Sequence, residues 1–409
     1  MTKNMSKIEK LINKLCPDGV EYKTIGDVAQ FIKGASIPRA KTSVDYEVPY
    51  LHYGDVYKLY KKEVDLDAVY DSIIKVSTRE RVREDQYLQN GDIVYNLTSE
   101  TKEDLGKAIV VINNSGRKFI AGTETTVMKI TRKDIVDPCF LNYLLMTAWY
   151  LKQFRQHTTG TKVYRVHPRA IGKIKIPLPP LAIQEEIVKI LNSFTELEAE
   201  LEAELEARKK QYEHYRASLL TFNEEGGVRR MAISEICQIN RGRVMSKDYL
   251  RTNAGEYPVY SSQTVDDGVF GRINTYDYDG EYITWTTDGA NAGSIFYRNG
   301  KFSITNVCGL LKVKIDDVNT KFLAYILANV AKKYVSAGMG NPKIMSNVMA
   351  NVKVQIPSLT EQERIVTVLD NFDALVNNLS IGLPAELTAR RSQYEYYRGK
   401  LLTFNEYVH

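Results

Sequence analysis

The chain has 409 residues, 44% of them hydrophobic and 26% charged, and its formal net charge is +5. It is long enough for two or more domains with cores of their own, and its mild positive charge permits nucleic-acid binding without requiring it. No apolar run approaches the roughly 18 residues of a membrane-spanning helix, and the lysine-rich start lacks the apolar segment of a signal peptide, so the sequence predicts neither.

The four cysteines are far apart in the sequence, with no CxxC pair and no histidine at metal-ligand spacing. They are Cys16, Cys139, Cys237 and Cys308. This usage is typical of buried thiols in a reducing compartment. We therefore expect a cytoplasmic protein without a zinc site.

Three short stretches resemble catalytic motifs without completing them. "PDGVEYK" (17–23) has the letters of a PD…ExK nuclease, but Asp18 and Glu21 are only three residues apart. "LGKA" (105–108) lacks the upstream glycine of a phosphate-binding loop, and "DPCF" (137–140) has the wrong third residue for the catalytic turn of an amino-methyltransferase. The sequence therefore indicates no nuclease, ATPase or methyltransferase centre.

The sequence contains the same order of segments twice. Each copy has a leading segment, a region of its own, a short apolar helix, a proline-containing gate and a long helical segment. The matching stretches are "GVEYKTIGDVAQFIKG" (19–34) with "GVRRMAISEICQINRG" (227–242), "FLNYLL" (140–145) with "FLAYIL" (322–327), "PLPPLAIQEEIVKILNSF" (177–194) with "IPSLTEQERIVTVLDNF" (356–372), and "RKKQYEHYRASLLTFNE" (208–224) with "RRSQYEYYRGKLLTFNE" (390–406). The regions in between, roughly 35–176 and 243–355, are otherwise unlike, so two related frames hold two different inserts.

After each gate, apolar residues form one stripe along a helix of some 40 residues, the pattern of a coiled-coil seam. The stripes comprise Phe194, Leu197, Leu201, Leu205, Tyr212, Tyr215, Leu219 and Phe222, and Phe372, Leu375, Leu379, Leu387, Tyr394, Tyr397, Leu401 and Phe404. Neither helix can bury its stripe alone, so we predict that the two copies pack together, in antiparallel directions. Gly382 and Pro384 should kink or loosen the second helix.

The predicted fold class is α+β, with two globular α/β domains separated by two long antiparallel coiled-coil helices and an internal pseudo-twofold repeat. The predicted boundaries are 1–176 for the N-terminal segment and first domain, 177–224 for the first long helix, 225–355 for the second domain and 356–409 for the second long helix.

The gates, the two "QYE.YR..LLTF" endings and the "CPDGVEYKTIGDVA" start resemble the specificity subunit of type I restriction-modification systems, over the full chain and in the right order. The resemblance implies two target-recognition domains that each read one half of a split, asymmetric DNA site. It also implies long helices that dock modification (methyltransferase) subunits, expected to be two, with restriction subunits joining the complex. The chain itself would be non-catalytic, because S-adenosylmethionine, ATP and magnesium would belong to partner subunits in the bacterial or archaeal cytoplasm.

The repeat "ELEAELEAELEA" (196–207) takes a specific meaning from this resemblance, since the family links such repeats to the spacer between half-sites. Four helical residues rotate the chain by about 400°, a net change of about 40°. One base pair turns B-DNA by about 35°, at ~10–10.5 pairs per turn. An added unit would rotate one domain by nearly one base-pair step, so we interpret the repeat as a ruler.

Candidate DNA contacts are polar and basic residues in glycine-containing loops, which suit base edges and phosphates. In the first region they are Lys33, Arg39, Lys41, His52, Tyr53, Asn96, Thr98, Lys102, Lys162, Tyr164, Arg165 and Arg169. In the second they are Arg241, Arg243, Ser261, Ser262, Gln263, Thr264, Thr286, Thr287, Asn291, Asn341 and Lys343. Trp285 is expected in the core instead.

Two other hypotheses remain open from the sequence. The chain could be a coiled-coil scaffold without sequence-specific DNA binding, which would leave no DNA footprint. It could also be a self-sufficient DNA-modifying enzyme, which would transfer methyl groups or cut DNA without partners.

Overall fold

The computed structural model describes residues 6–222, 228–336, 340–378 and 380–407. The chain divides into two compact units, Met1–Glu200 with Leu387–His409 and Leu201–Glu386. The predicted boundary between residues 224 and 225 lies outside the described residues, and so does Leu379 of the second stripe.

The α-helices of the described residues follow in chain order: α1 (Lys7–Leu15), α2 (Ile25–Val28), α3 (Tyr53–Lys58), α4 (Pro138–Leu145), α5 (Ala148–Arg155), α6 (Pro168–Ile171), α7 (Leu181–Leu219), α8 (Ile233–Ile236), α9 (Lys247–Thr252), α10 (Thr320–Val330), α11 (Ser346–Ala350), α12 (Leu359–Asn377) and α13 (Leu383–Leu401).

The strands of the first unit are β1 (Glu21–Thr24), β2 (Ala29–Lys33), β3 (Thr42–Ser43), β4 (Val48–Leu51), β5 (Glu63–Asp65), β6 (Lys75–Val76), β7 (Ile93–Asn96), β8 (Thr98–Ser99), β9 (Ala108–Ile112), β10 (Ile120–Ala121), β11 (Thr125–Ile130), β12 (Tyr164–Arg165) and β13 (Lys175–Leu178). Those of the second unit are β14 (Arg229–Ala232), β15 (Cys237–Arg241), β16 (Ala254–Tyr260), β17 (Val269–Ile273), β18 (Tyr278–Thr286), β19 (Ile295–Ile304), β20 (Cys308–Val313) and β21 (Lys353–Ile356).

The repeated segments form the same local frame in each unit. The leading strand β1 pairs antiparallel with the gate strand β13, and β14 pairs in the same way with β21. A short helix follows each leading strand, and a carboxylate in that helix accepts the backbone N–H of the residue just before it. Asp27 accepts from Thr24 in this way, and Glu235 accepts from Ala232. These acceptors satisfy backbone donors that a helix start leaves without an intrahelical partner.

The central sheets of the first and second domains share part of their topology although the sequences of the inserts are unlike. The first domain has a five-stranded sheet in the order β2-β11-β7-β9-β5 beside a four-stranded sheet in the order β10-β4-β6-β3. The second has a six-stranded sheet in the order β15-β20-β18-β19-β16-β17. In the first domain, β2 pairs with β11, and in the second, β15 pairs with β20. In each pair the first strand follows the short helix of the frame, and the second is the last strand before the repeated apolar helix.

The long helices confirm the predicted coiled-coil arrangement and its break. Helix α7 runs unbroken through the ELEA repeat, whereas the second copy is divided into α12 and α13, with Gly382 in the left-handed region at φ 93°. Only glycine adopts this conformation at little cost, and a Cβ there would lie 2.5 Å from the carbonyl oxygen of Ala374.

The helices of each unit pack in antiparallel directions. In the first unit, Phe194 stacks on Tyr397 with ring centroids 5.5 Å apart, and Glu198 pairs with Arg391 at 2.9 Å. In the second unit, Tyr215 packs on Phe372 at 5.3 Å, while the carbonyl of Phe222 accepts a hydrogen bond from Gln355.

The apolar stripe of α7 is not buried along its whole length. Leu197, for example, is 46% exposed. The spacing of the stripe does not match the 3.6 residues per turn of a straight α-helix, so some apolar positions rotate away from the contact between the helices.

Candidate nucleic-acid interface

One edge of the first domain's five-stranded sheet collects several predicted residues. The carboxyl ends of β2 and β7 meet the start of β11 there, with Lys33 opposite Thr126 and Asn96 opposite Thr125. Gly34 follows Lys33 and lies so close to the next segment that a Cβ would be 2.2 Å from the carbonyl oxygen of Gly122. The segments that continue from β2 and β7 at this edge carry Arg39, Lys41, Thr98 and Lys102.

His52 lies at the start of α3 and acts as its N-cap. Its Nδ1 accepts the N–H of Gly54 at 3.1 Å, so the other ring nitrogen, Nε2, carries the proton of the neutral ring. Burial lowers the pKa of His52, Arg39 and Lys58 lower it further, and Asp55 opposes them. A neutral histidine at pH 7 therefore offers one hydrogen-bond donor, next to the ring of Tyr53 at 4.4 Å.

A two-stranded ribbon joins the loops 97–107 and 156–165. Thr98 of β8 pairs with Arg165 of β12, and the Lys102 ammonium lies 5.2 Å from the centre of the Tyr164 ring. Lys162 and Arg165 are exposed on this ribbon. The structure thus brings together two stretches that are some 60 residues apart in the sequence.

Three other candidates of the first domain have different surroundings. Arg39 is exposed on a single 3₁₀ turn, and Lys41 on the same turn pairs with Glu80 at 2.9 Å. Arg169 is exposed on α6, which is followed by Gly172, whose carbonyl accepts the N–H of Gly26 in the frame. Arg169 therefore belongs with the frame and not with the ribbon.

The second domain has the corresponding edge in its six-stranded sheet. Arg241 ends β15 opposite Gly309, and Thr286 ends β18 opposite Cys308. The exposed Arg241 side chain donates from one amino group to the Thr287 hydroxyl at 3.0 Å and to the carbonyl of Asn306 at 2.9 Å. The following Gly242 allows a close approach, since a Cβ would be 2.1 Å from the carbonyl oxygen of Ile304.

Three further loops meet at this edge. The carbonyl of Val307 accepts hydrogen bonds from the hydroxyls of Ser262 and Thr287, and Ser261 accepts one from Thr305. The N–H of Gly289 donates to the carbonyl of Pro342, which brings the loop of Asn341 and Lys343 beside that of Thr287 and Asn291. Gln263 donates to the carbonyl of Val269, and Thr264 is exposed nearby. Most of the second set is therefore gathered at one surface.

The backbone of Arg243 bridges with that of Thr305, but its side chain has other partners. Its guanidinium donates to the Tyr249 hydroxyl at 3.1 Å and to Asp277 at 3.1 Å, and these two hydrogen bonds raise the pKa of Arg243. It can still present charge to a phosphate, but its orientation is already determined by the protein.

Three predicted residues are buried, which corrects the direct role expected for their side chains. Asn96, Thr286 and Thr287 are 1%, 1% and 0% exposed. Asn96 donates to the carbonyl of Asp104, Thr286 donates to that of Asn291, and Thr287 bonds as described above. The Asn96 amide nitrogen and the two threonine hydroxyls therefore hold the loops, whereas the Asn96 amide oxygen is buried without a hydrogen-bond partner among the described residues. The exposed members of the set remain candidates for DNA contact.

Arg298 lies beneath this surface, and the sequence did not single it out. Its side chain is buried beneath the loop of Ser261–Thr264, where it pairs with Asp267 and donates to Thr284. No local motif marks it, since "FYRNGK" reads as an ordinary strand and turn.

The chain matches the family described as "Type I restriction modification DNA specificity domain" twice, over residues 17–207 and 226–389. It belongs to the type I restriction-modification specificity family. The two matched ranges each contain one frame, one recognition domain and one stretch of long helix. The repeat read from the sequence is therefore a repeat of this specificity domain.

Relatives and solved structures agree with this assignment. A Mycoplasma pneumoniae protein named as a type I specificity subunit is 45% identical over 237 residues, covering 56% of this chain and 92% of the relative. The specificity subunit of the type I restriction enzyme MpnII from the same organism is 46% identical over 207 residues, covering 48% and 62%.

The structural matches show the same fold at low sequence identity. A type I S subunit from M. genitalium has a TM-score of 0.55 at 15% identity, covering 98% of this chain and 99% of that one. A chain from a structure on complex assembly in a type I restriction-modification system has a TM-score of 0.61 at 19% identity, covering 95% and 98%.

Two of the three incomplete catalytic motifs belong to ordinary structural elements. Asp137 of "DPCF" is the N-cap of α4, and "LGKA" leads into strand β9 and not into a helix. Cys16, Cys237 and Cys308 are buried thiols as predicted, while Cys139 is half-buried. Among residues 6–222, 228–336, 340–378 and 380–407, no group of His, Cys, Asp and Glu could hold a metal ion. In the same ranges, no helix is both long and apolar enough to cross a membrane.

Proposed function

We propose that this chain selects the DNA site of a type I restriction-modification complex, with each recognition domain reading one half of a bipartite, asymmetric site. The observation that carries the proposal is the twofold match to the specificity domain, in which each copy presents one sheet edge with basic and polar loops. Two different recognition domains in one chain are consistent with two different half-sites.

The chemistry of the two edges supports direct reading of bases. The first domain offers the exposed Lys33, Lys102, Lys162 and Arg165 with the His52 donor, and the second domain offers Arg241, Asn341 and Lys343. Arginine, lysine and asparagine are the side chains that most often read guanine and adenine in the major groove, while further cations position the phosphates.

The long helices would hold modification subunits, two of them by analogy with the repeat, and restriction subunits would join that assembly. S-adenosylmethionine, ATP and Mg²⁺ are assigned to those partners, and this chain is proposed to be non-catalytic. The complex would act in the cytoplasm, on the DNA of its host and of incoming phage or plasmids.

The test is methyl transfer from labelled S-adenosylmethionine to DNA, followed by sequencing of the methylated positions. We expect no transfer by the purified chain alone, and transfer at one bipartite sequence once its methyltransferase partner is added. Transfer by the chain alone would favour a self-sufficient enzyme. A complex that binds the methyltransferase but protects no DNA sequence would favour a plain scaffold.

A further inference from the structure

The side chain of Arg298 on β19 is an interior cation held at a surface loop. Only 3% of it is exposed, whereas its ion-pair partner Asp267 is 70% exposed. The guanidinium lies between two aromatic rings, 3.7 Å from the centre of Tyr260 and 4.5 Å from that of Phe296. A buried charge is costly to desolvate unless it is paired and hydrogen-bonded, so this site strongly favours one position of Asp267.

The hydrogen bonds of Arg298 reach both the side chain and the backbone of Asp267. One terminal amino group donates to the Asp267 carboxylate, and the other donates to the Asp267 carbonyl at 2.7 Å. The Nε group donates to the Thr284 hydroxyl at 3.2 Å, which ties the guanidinium to the neighbouring strand β18. The planar guanidinium can make these bonds at once, and a lysine ammonium cannot reproduce that fork.

The loop that Arg298 holds has an unusual backbone. Asp266 and Asp267 both have φ 50°, and Gly268 follows at φ 82°. Successive left-handed residues are rare outside glycine and persist where the surrounding structure enforces them. The carbonyl of Gly268 then accepts the N–H of Ser261 at 3.1 Å, which closes the loop.

We propose that Arg298 is a positioning residue for DNA reading by the second recognition domain. By holding Asp267 it fixes the loop that presents Ser261, Ser262, Gln263 and Thr264, and it neutralises a carboxylate that would otherwise face the phosphates. Arg298 does not touch DNA, because it is buried. The inference rests on the proposed function, in which this loop faces DNA.

The experiment uses the full chain assembled with its methyltransferase partner and a duplex library in which the wild-type site is randomised one position at a time. Methylated products are sequenced for the wild type, R298M, R298K and D267N. The matched control is R272M, because Arg272 is an exposed arginine of the same domain that donates to the carbonyl of Glu256 at 2.9 Å.

We expect R298M to lower the discrimination against wrong bases by about tenfold or more at one half-site, since each mismatch there is worth ~1–3 kcal/mol, or about 5–150-fold. The other half-site and the spacer should be read as in the wild type, which shows that the complex is folded and active. R298K should fall between R298M and the wild type, and R272M should match the wild type.

The proposal is overturned if R298M keeps wild-type selectivity, or if it loses selectivity equally at both half-sites. Should R298M fail to assemble, R298K and D267N decide, and wild-type selectivity in both would overturn the proposal. A wild-type complex that methylates no bipartite site would instead refute the proposed function itself.

Discussion

Gln184 and Gln362 make the same three hydrogen bonds at equivalent places in the two halves of the sequence. Each side-chain oxygen accepts the N–H of the residue that caps the repeated apolar helix, Asp137 before α4 and Asn319 before α10, at 2.9 Å. Each side-chain nitrogen donates to two carbonyls, one of them in the proline gate. Both glutamines are fully buried, so they fasten the long helix to its recognition domain.

Replacing Gln184 with methionine should cost the first unit about 2–4 kcal/mol of unfolding free energy. The variant keeps the side-chain volume but leaves one buried N–H and two buried carbonyls without partners, at about 1–3 kcal/mol for such a group. Denaturant-dependent hydrogen exchange in α4 measures the change locally. Q30M, at an exposed position of β2, should stay within about 0.5 kcal/mol of the wild type; equal destabilisation in both variants would refute the role given to Gln184.

Two equivalent tyrosines allow the stability contributed by a hydrogen bond to a charged acceptor to be compared with that of a bond to a neutral one. Tyr143 donates to Asn192 at 2.6 Å in the first unit, and Tyr325 donates to Asp370 at 2.6 Å in the second. Y325F should cost about 1.5–3 kcal/mol and Y143F about 0.5–1.5 kcal/mol, because hydrogen bonds to ionised groups are the stronger ones. Hydrogen exchange in α4 and α10 reads the two separately, and a larger destabilisation by Y143F would contradict this ranking.

The ELEA repeat gives a prediction about the DNA spacer. Deleting residues 200–203 removes one unit from α7 and should shorten the recognised spacer by one base pair, because a net rotation of about 40° is close to one base-pair step. Insertion of one further unit is the matched opposite and should lengthen it. The spacer length is measured by sequencing the methylated sites. An unchanged spacer in both variants would refute the hypothesis that the ELEA repeat sets its length.

The exposed lysines of the first domain should contribute mainly by binding phosphates. Replacing Lys102 or Lys162 with alanine should reduce the slope of log affinity against log salt by about one for each phosphate that the protein no longer neutralises, and weaken binding to all sequences alike. Fluorescence anisotropy of the assembled complex over a salt series measures both effects. K14A, on the exposed face of α1, serves as the control; a slope unchanged in K102A and K162A would exclude these lysines from the interface.

The stability of the second unit should fall at alkaline pH through Cys237. Burial raises the pKa of this thiol from 9.0 to about 12, and the charge of Lys314 acts in the other direction. Between these values the unfolded chain releases the proton and the folded chain keeps it, so unfolding becomes easier as pH rises. The contribution is complete below pH 9 and decreases by at most about 1.4 kcal/mol per pH unit above it.

C237A removes the group that titrates and should show a shallower alkaline decline than the wild type. Urea unfolding between pH 8 and pH 11 makes the comparison, and parallel declines in the two proteins would show that other groups dominate. Cys16 offers the matched substitution in the first unit, where C16A should leave the second unit's profile unchanged.

The sequence by itself determined the repeated frame, the long helices and the family, because these depend on local and periodic information. Short stretches of sequence are enough to predict several of these features. They include the proline gates, the apolar stripes of the helices, and the "KG" and "RG" ends of β2 and β15. The break before α13 is expected in the same way from Gly382 and Pro384, because glycine tolerates the left-handed backbone found there and proline cannot continue a helix.

Tertiary structure decided the composition of the two surfaces. Burial of Thr286 and Thr287, the meeting of β8 with β12, and the place of Arg298 all depend on strand pairs between distant segments, and single-sequence patterns do not encode such pairs. The same holds for the tail, where Asn405 and Tyr407 bond to Val20 across almost the whole length of the chain. A hydrophobic period states which face of a segment is buried, but only the folded chain determines which distant segment covers it.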